Sequence, residues 1–210
     1  MDCSLANFET GHSSAHPSLG AAAVIASRFS TAYPLETRGQ GILFVGTSGL
    51  GKTHLAASIL RCLIAEKGAS GQFWEHKELL DKLRSIYSLR TAGAEDKLLR
   101  SVITCDLLVI DDLGDITPSD WSWDTTAYIL NSRYNENLST VITTNLPNEA
   151  PFGATTEEPA SRAEARRMTR RETLGDRIGE RMRSRVQEMC VTVEMQGKDF
   201  RQTIKRATFS

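Results

Sequence analysis

The stretch Gly41 to Gly68, GILFVGTSGLGKTHLAASILRCLIAEKG, decides the fold. Ile42 to Val45 is a short apolar run with β-branched residues, which suits a buried strand. Gly46-Thr47-Ser48-Gly49-Leu50-Gly51-Lys52-Thr53 matches the pattern G-x-x-x-x-G-K-[ST] at every fixed position. Leu55, Ile59, Leu60, Leu63 and Ile64 then recur at helical spacing, and Gly68 provides a stop. Strand, glycine loop and helix in that order make a phosphate cradle. Glycines let the backbone wrap phosphate oxygens closely, and a helix opening on the loop points unpaired N–H groups and its dipole at the anion. Lys52 has the reach for the β- and γ-phosphates, and the Thr53 hydroxyl suits Mg²⁺. The loop residues Gly46 to Thr53, with His54 behind them, are the candidate nucleotide-binding set.

Around this stretch the chain is ordinary globular material. It has 210 residues, 40% hydrophobic and 24% charged, with a formal net charge of -1. That length favours one domain with its own core, and the charge gives no whole-chain signal for nucleic acid. The four cysteines form no C-x-x-C pair, so buried thiols in a reducing, cytoplasmic setting are expected rather than disulfides or zinc. Cys3, His12 and His16 lie in a polar segment, residues 1 to 17, expected to be a flexible lead-in. The alanine-rich run from Ala21 to Ala26 is too short to span a membrane, and no basic region precedes it as in a signal peptide. No membrane association is expected.

The second informative stretch is Cys105 to Gly114, CDLLVIDDLG. A continuous apolar run is how a buried parallel strand reads, and its carboxyl end is where ligands sit in α/β sheets. Downstream of the phosphate loop it matches a Walker B strand. Asp111 is the candidate for helping to hold Mg²⁺, usually through its water shell, and Asp112 the candidate for orienting and activating water. Ser139 to Thr144, STVITT, is a β-branched strand. It ends in Asn145, a polar tip with the reach for the same water or the γ-phosphate, or a turn residue before Leu146-Pro147.

Helices are expected at Leu19–Tyr33, Lys77–Arg90, Glu95–Thr104, from Thr117-Pro118 through Tyr134, and over Thr173–Cys190. Short strands are expected at Gln72–His76 and Val191–Met195. Spacing puts Trp123, Tyr134 and Tyr87 in the core. Residues 148 to 172 are rich in Pro, Ala, Thr, Glu and Arg, and read as a mobile insertion. Its Arg166, Arg167, Arg170 and Arg171 are solvated charge or phosphate contacts. About five strands alternating with helices argue for a mostly parallel, three-layer α/β/α sheet.

Taken in order, GTSGLGKTHLA, CDLLVIDDLG, NSRYNENLSTVITTNL, IGERMRSRVQEMC and GKDFR resemble the DnaC/IstB-type AAA+ ATPases, the replicative helicase loaders and transposition helper ATPases. The resemblance runs from about Phe8 to Arg201. It implies a P-loop AAA+ core over residues 18 to 210, with a five-stranded sheet and a reduced or absent lid. It implies ATP and Mg²⁺ as ligands and ATP hydrolysis, weak in the monomer and stimulated by assembly or DNA. By motif position, Lys52 and Thr53 match Walker A, Asp111 and Asp112 match Walker B, and Asn145 matches sensor 1. Arg185 matches the arginine finger, which acts on a neighbouring subunit's nucleotide, while the overlapping frame LGDRIGER nominates Arg181. Arg201 resembles sensor 2, on the phosphates in cis. The implied partners are a replicative helicase or a transposase, a second copy of the chain, and single-stranded DNA through Lys82, Arg84, Tyr87 and Arg90. Only about forty residues precede the first strand, so the separate helicase-binding domain of a loader is expected to be absent or reduced. A small-molecule kinase is disfavoured by the order of acids and the Asn-tipped strand.

Overall fold

The computed structural model describes residues 16–88, 94–151 and 171–200. Its centre is a sheet of five strands: β1 (Gly41–Val45), β2 (Gly71–Glu75), β3 (Leu107–Asp111), β4 (Ser139–Thr144) and β5 (Cys190–Glu194). Their spatial order is β2-β3-β4-β1-β5, and every pairing is parallel. β1, β3 and β4 are buried along their whole length. That is why their sequences are continuously apolar or β-branched rather than alternating.

The sheet divides two cores. On one face Ile42, Phe44, Val109 and Val141 meet α1 (Pro17–Ala32) and α2 (Lys52–Lys67). On the other, Leu43, Ile110 and Ile142 meet α3 (His76–Ser88), α4 (Ala94–Thr104), α5 (Asp120–Asn135), α6 (Leu174–Ile178) and α7 (Glu180–Met189). Successive strand residues point to opposite faces, so three layers follow directly. This is the expected α/β/α architecture. Among the described residues no helix is long and apolar enough to cross a membrane.

Several local expectations are corrected. The helix expected from Thr117-Pro118 opens at Asp120, because Ser119 caps it: its hydroxyl accepts the Ser122 N–H, and Ser122 returns a bond to the Ser119 N–H. Its buried face is Ser122, Thr126, Ile129, Leu130 and Arg133, displaced from the expected stripe, so Trp123 and Tyr134 are 41% and 38% exposed. Tyr87 is not core either, being 65% exposed, since Leu79, Leu80 and Leu83 already fill the inner face of α3. The single helix expected over Thr173–Cys190 is two, broken at Gly179, whose φ of 78° lies outside helical space. Val191 is 48% exposed because β5 is an edge strand. Most of the expected insertion, residues 152–170, lies outside the described residues, as do residues 1–15 of the lead-in.

At the amino-terminal end of the sheet, Arg133 is completely buried. Its Nη1 donates to the carbonyls of Val102, Ile103 and Cys105 at 3.1, 2.9 and 2.8 Å, its Nη2 to Ser139 O at 2.6 Å, and its Nε to Thr140 Oγ1 at 3.0 Å. One guanidinium therefore pins the end of α4 to the starts of β3 and β4. The carbonyls of Val102 and Ile103 belong to the carboxyl terminus of α4, whose dipole favours a cation. Burial lowers the guanidinium pKa below its ordinary value, but an arginine remains charged in such a setting.

Candidate functional site

The strand order sets the geometry of the opposite, carboxyl-terminal edge. β4 lies between β1 and β3, so the residue leaving β4 stands between the loop leaving β1 and the acids leaving β3. Adjacent strands are about 4.8 Å apart, a gap one short polar side chain on the middle strand can bridge on both sides.

Gly51 is the N-cap of α2 in a left-handed conformation, φ 87°, which is why that position is glycine. Leu50 is buried against the α1–α2 core and ties the loop to the body of the protein. Lys52, the first residue of α2, is only 4% exposed. Its Nζ donates to Gly46 O at 2.8 Å, Thr47 O at 2.9 Å and Asn145 Oδ1 at 2.7 Å. The ammonium is thus held under the loop, where phosphate oxygens would replace carbonyl oxygens as acceptors.

Asn145 is the bridge. Besides Lys52, its Oδ1 lies 3.4 Å from Ser48 Oγ, and its Nδ2 donates to Asp112 Oδ1 at 2.9 Å. The loop cation, the strand-tip amide and the second acid form one hydrogen-bonded chain. Asp111, buried at the end of β3, accepts from Thr53 Oγ1 with both carboxylate oxygens at 3.0 Å. Neighbouring ligands around an octahedral ion at about 2.1 Å are about 3.0 Å apart. The hydroxyl and carboxylate therefore already have the chemistry and spacing of part of a Mg²⁺ shell. Burial, then the adjacent Asp111, push the Asp112 carboxyl above its usual range, and Lys52 pulls it back in part. A carboxylate with a raised pKa is a better proton acceptor.

Three residues that sequence reasoning missed, Thr143, Thr144 and His76, hold these acids or the turn that follows them. Asp112 has φ 52°, a left-handed conformation uncommon for a residue with a side chain. Thr143 Oγ1 accepts its N–H at 3.0 Å, and Thr143 O accepts the Leu113 N–H at 2.8 Å. Thr144 Oγ1 donates to Leu113 O at 2.8 Å. His76 Nδ1 accepts from Gly114 N at 3.5 Å, and its Nε2 is 3.0 Å from Thr126 Oγ1, which itself donates to Ser122 O. That pattern makes Nε2 the protonated nitrogen. Burial pushes His76 down to about 4, so it is neutral at physiological pH. The available signal was polar residues at positions the apolar pattern assigns to the interior: Thr143-Thr144 closing a buried strand, and His76 opening a helix.

A second strand extension frames the loop. Met195 N donates to Val45 O at 2.7 Å and Phe200 N to Gly49 O at 3.0 Å, which lays the segment after β5 along the phosphate loop. His54 is half-buried on α2. Arg201 lies just outside the described residues, as do Arg90, Arg166, Arg167 and Arg170.

The remaining arginines separate clearly. Arg185 pairs with Glu188 at 2.8 Å and stacks over the Tyr134 ring at 4.1 Å. Arg183 pairs with Glu180 at 2.7 Å. Arg177 pairs with Glu172 and donates to Ile116 O at 2.8 Å, within the loop that follows Asp112. Arg181 is exposed on the first turn of α7, without an ion pair or hydrogen bond among the described residues. On α3, Arg84 covers the Trp121 ring at 4.6 Å beside exposed Tyr87. Among the described residues there is no His, Cys, Asp or Glu cluster suited to a metal.

Comparison with known proteins identifies a family and a shared fold. The family described as IstB-like ATP binding protein matches residues 27–206. The replicative helicase loader DnaC of Buchnera aphidicola subsp. Schizaphis graminum is 29% identical over 146 residues, 70% of this chain and 56% of that protein. The insertion sequence IS232 putative ATP-binding protein of Bacillus thuringiensis subsp. berliner is 34% identical over 110 residues, 51% of this chain and 41% of that protein. The chain thus spans about half the length of the curated relatives it matches. A crystal structure of the DnaC helicase loader superposes with a TM-score of 0.70 at 29% identity, covering 92% of this chain and 97% of that one. AMPPCP-bound DnaA from Aquifex aeolicus, at 16% identity, shares the fold with a TM-score of 0.67 over 95% of this chain and 52% of that one.

Proposed function

We propose, for a chain that belongs to the IstB-like ATP binding family of DnaC/IstB-type AAA+ proteins, an ATP-dependent assembly factor of the helicase-loader kind. It binds ATP in the Gly46–Thr53 cradle, hydrolyses it, and uses the nucleotide state to control association with its partner. The observation that carries this is the chain Lys52–Asn145–Asp112, which couples the phosphate-binding cation to the acid beside the reacting water.

In this reading the N–H groups of the loop and the first turn of α2 bind the phosphates, and Lys52 turns from loop carbonyls to the β- and γ-oxygens. Thr53 and Asp111 would hold Mg²⁺, which supplies charge neutralisation across the β- and γ-phosphates. Asp112 accepts the proton of the attacking water, and Asn145 keeps that carboxylate and Lys52 in register. A neighbouring subunit supplies an arginine to the developing charge, an effect of about 10³–10⁵ in rate. Arg181 suits that task better than Arg185: it is exposed and uncommitted among the described residues, whereas Arg185 is engaged with Glu188 and Tyr134 of its own chain. The isolated monomer is then a weak ATPase, and hydrolysis reports assembly.

A replicative helicase is the first partner to test, because the DnaC resemblance covers most of the chain. Relatives among insertion-sequence ATP-binding proteins support a transposase as the second. Single-stranded DNA is a further proposed ligand, near exposed Tyr87. Asp112→Asn should retain ATP and stop turnover, trapping the partner-bound state. Capture of helicase or transposase by that protein with ATP identifies the partner. Failure of Lys52→Ala to lower ATP affinity in calorimetry would sink the nucleotide site.

A further inference from the structure

We propose that Thr143 is a positioning residue that gives the two adjacent acids different tasks, one hydroxyl fixing Asp111 and Asp112 at once. The inference rests on the ATPase reading above. Thr143 is completely buried next to the tip of β4. Its Oγ1 donates to Asp111 Oδ1 at 2.6 Å and accepts the Asp112 N–H at 3.0 Å.

The two bonds have different consequences. The donated bond, with that from Thr53, keeps Asp111 Oδ1 between two hydroxyls. Two donors on one oxygen fix the orientation of the carboxylate at the end of β3, and a group that holds a metal needs such outer partners to set its direction. The accepted bond acts on backbone. If β3 simply continued, Asp112 would point to the opposite face from Asp111. The left-handed turn at φ 52° re-aims it so that its carboxylate meets Asn145 Nδ2. Such a conformation persists only where the surroundings hold it, and here the N–H anchor is the Thr143 hydroxyl.

Thr144 provides the contrast. It is equally buried and also braces the turn, through Leu113 O, but its one recorded donated bond goes to neither acid. The alternation along β4 explains the division. Thr143 shares the face of Val141, toward α2 and Thr53, while Thr144 faces the other core.

The test compares Thr143→Val, which keeps shape but removes the hydroxyl, with Thr143→Ser, which keeps the hydroxyl. Nucleotide affinity is read by calorimetry without and with Mg²⁺, and turnover by phosphate release under assembly conditions. For T143V we expect Mg²⁺-free ATP affinity within about threefold of wild type, a several-fold higher Mg²⁺ requirement, and kcat lower by about 10²-fold. T143S should restore kcat to within about threefold. Should T143V not fold, Thr143→Cys against Thr143→Ser replaces it under the same criteria, since a thiol is the poorer donor at the same size. Wild-type turnover retained by T143V or T143C, or lost equally in T143S, overturns the assignment. Absence of ATP turnover in the wild-type chain under every assembly condition overturns the ATPase reading itself, and this assignment with it.

Discussion

Removing the buried guanidinium at the far end of the sheet should destabilise the protein without touching the nucleotide site. In Arg133→Met the side chain keeps its apolar stem and loses its fork. Four carbonyls, those of Val102, Ile103, Cys105 and Ser139, then lose a donor inside the protein. An unpaired buried acceptor costs about 1–3 kcal/mol. The burial cost of the cation disappears at the same time, which offsets part of that sum. A net loss of about 3 kcal/mol is therefore expected, a large share of a typical domain stability of about 5–15 kcal/mol. For a domain of this size it corresponds to a fall in Tm of roughly 6–12 °C. Arg133→Lys keeps the charge but not the fan of donors, and should fall between. Urea unfolding at unchanged m-value is the measurement. ATP affinity should stay within about twofold, because Arg133 lies at the amino-terminal ends of β3 and β4 and the loop at the carboxyl ends. A loss under about 1 kcal/mol would show that the carbonyl cage contributes little beyond repaying the cost of burying the cation.

Asp112→Asn should raise stability at neutral pH, because the carboxyl is held above its ordinary range by burial and by Asp111. A raised folded-state pKa means the native protein gives up that proton only at a higher pH than the unfolded chain, so ionisation destabilises it. The gain should shrink as pH falls through the Asp112 pKa towards the ordinary carboxylate range, and a pH-independent gain in thermal unfolding would contradict it. The same shift puts the acid limb of wild-type turnover above that of an ordinary carboxylate, seen in a pH–rate profile. Gly49→Ala should weaken ATP binding by about tenfold although the phosphate-loop pattern leaves that position free, since φ there is 81° and a Cβ would lie 1.8 Å from Asp199 Oδ1. Partial recovery in the double variant with Asp199→Ala separates the contact from the backbone strain. Arg181→Ala should abolish assembly-stimulated turnover with ATP binding intact, while Arg185→Ala should cost mainly stability; the opposite pattern would restore Arg185 as the trans-acting group.

By itself the sequence determined the local units and their chemistry. A β-branched run, a glycine loop with Lys52 and Thr53, an apolar strand closing on Asp111-Asp112 and a strand closing on Asn145 are all set by short-range pattern, and each reappears where periodicity placed it. What the pattern could not supply was lateral position. β4 follows β3 in the chain, but the sheet inserts it between β3 and β1, and only that insertion turns Asn145 from a turn residue into the link between Lys52 and Asp112. Nor does spacing reveal which polar residues are interior. Arg133 resembles any helix-surface arginine until α4, β3 and β4 close around it, and Thr143 resembles any strand threonine until Asp112 turns left-handed beside it. Trp123 and Tyr134 fail in the opposite direction, because a one-residue offset in the α5 stripe turns them from core to solvent, and Tyr87 fails because Leu79, Leu80 and Leu83 already fill the inner face of α3. Local pattern is fixed within a few residues of chain, whereas these partners come together through strand order and layer packing, which act between segments tens of residues apart.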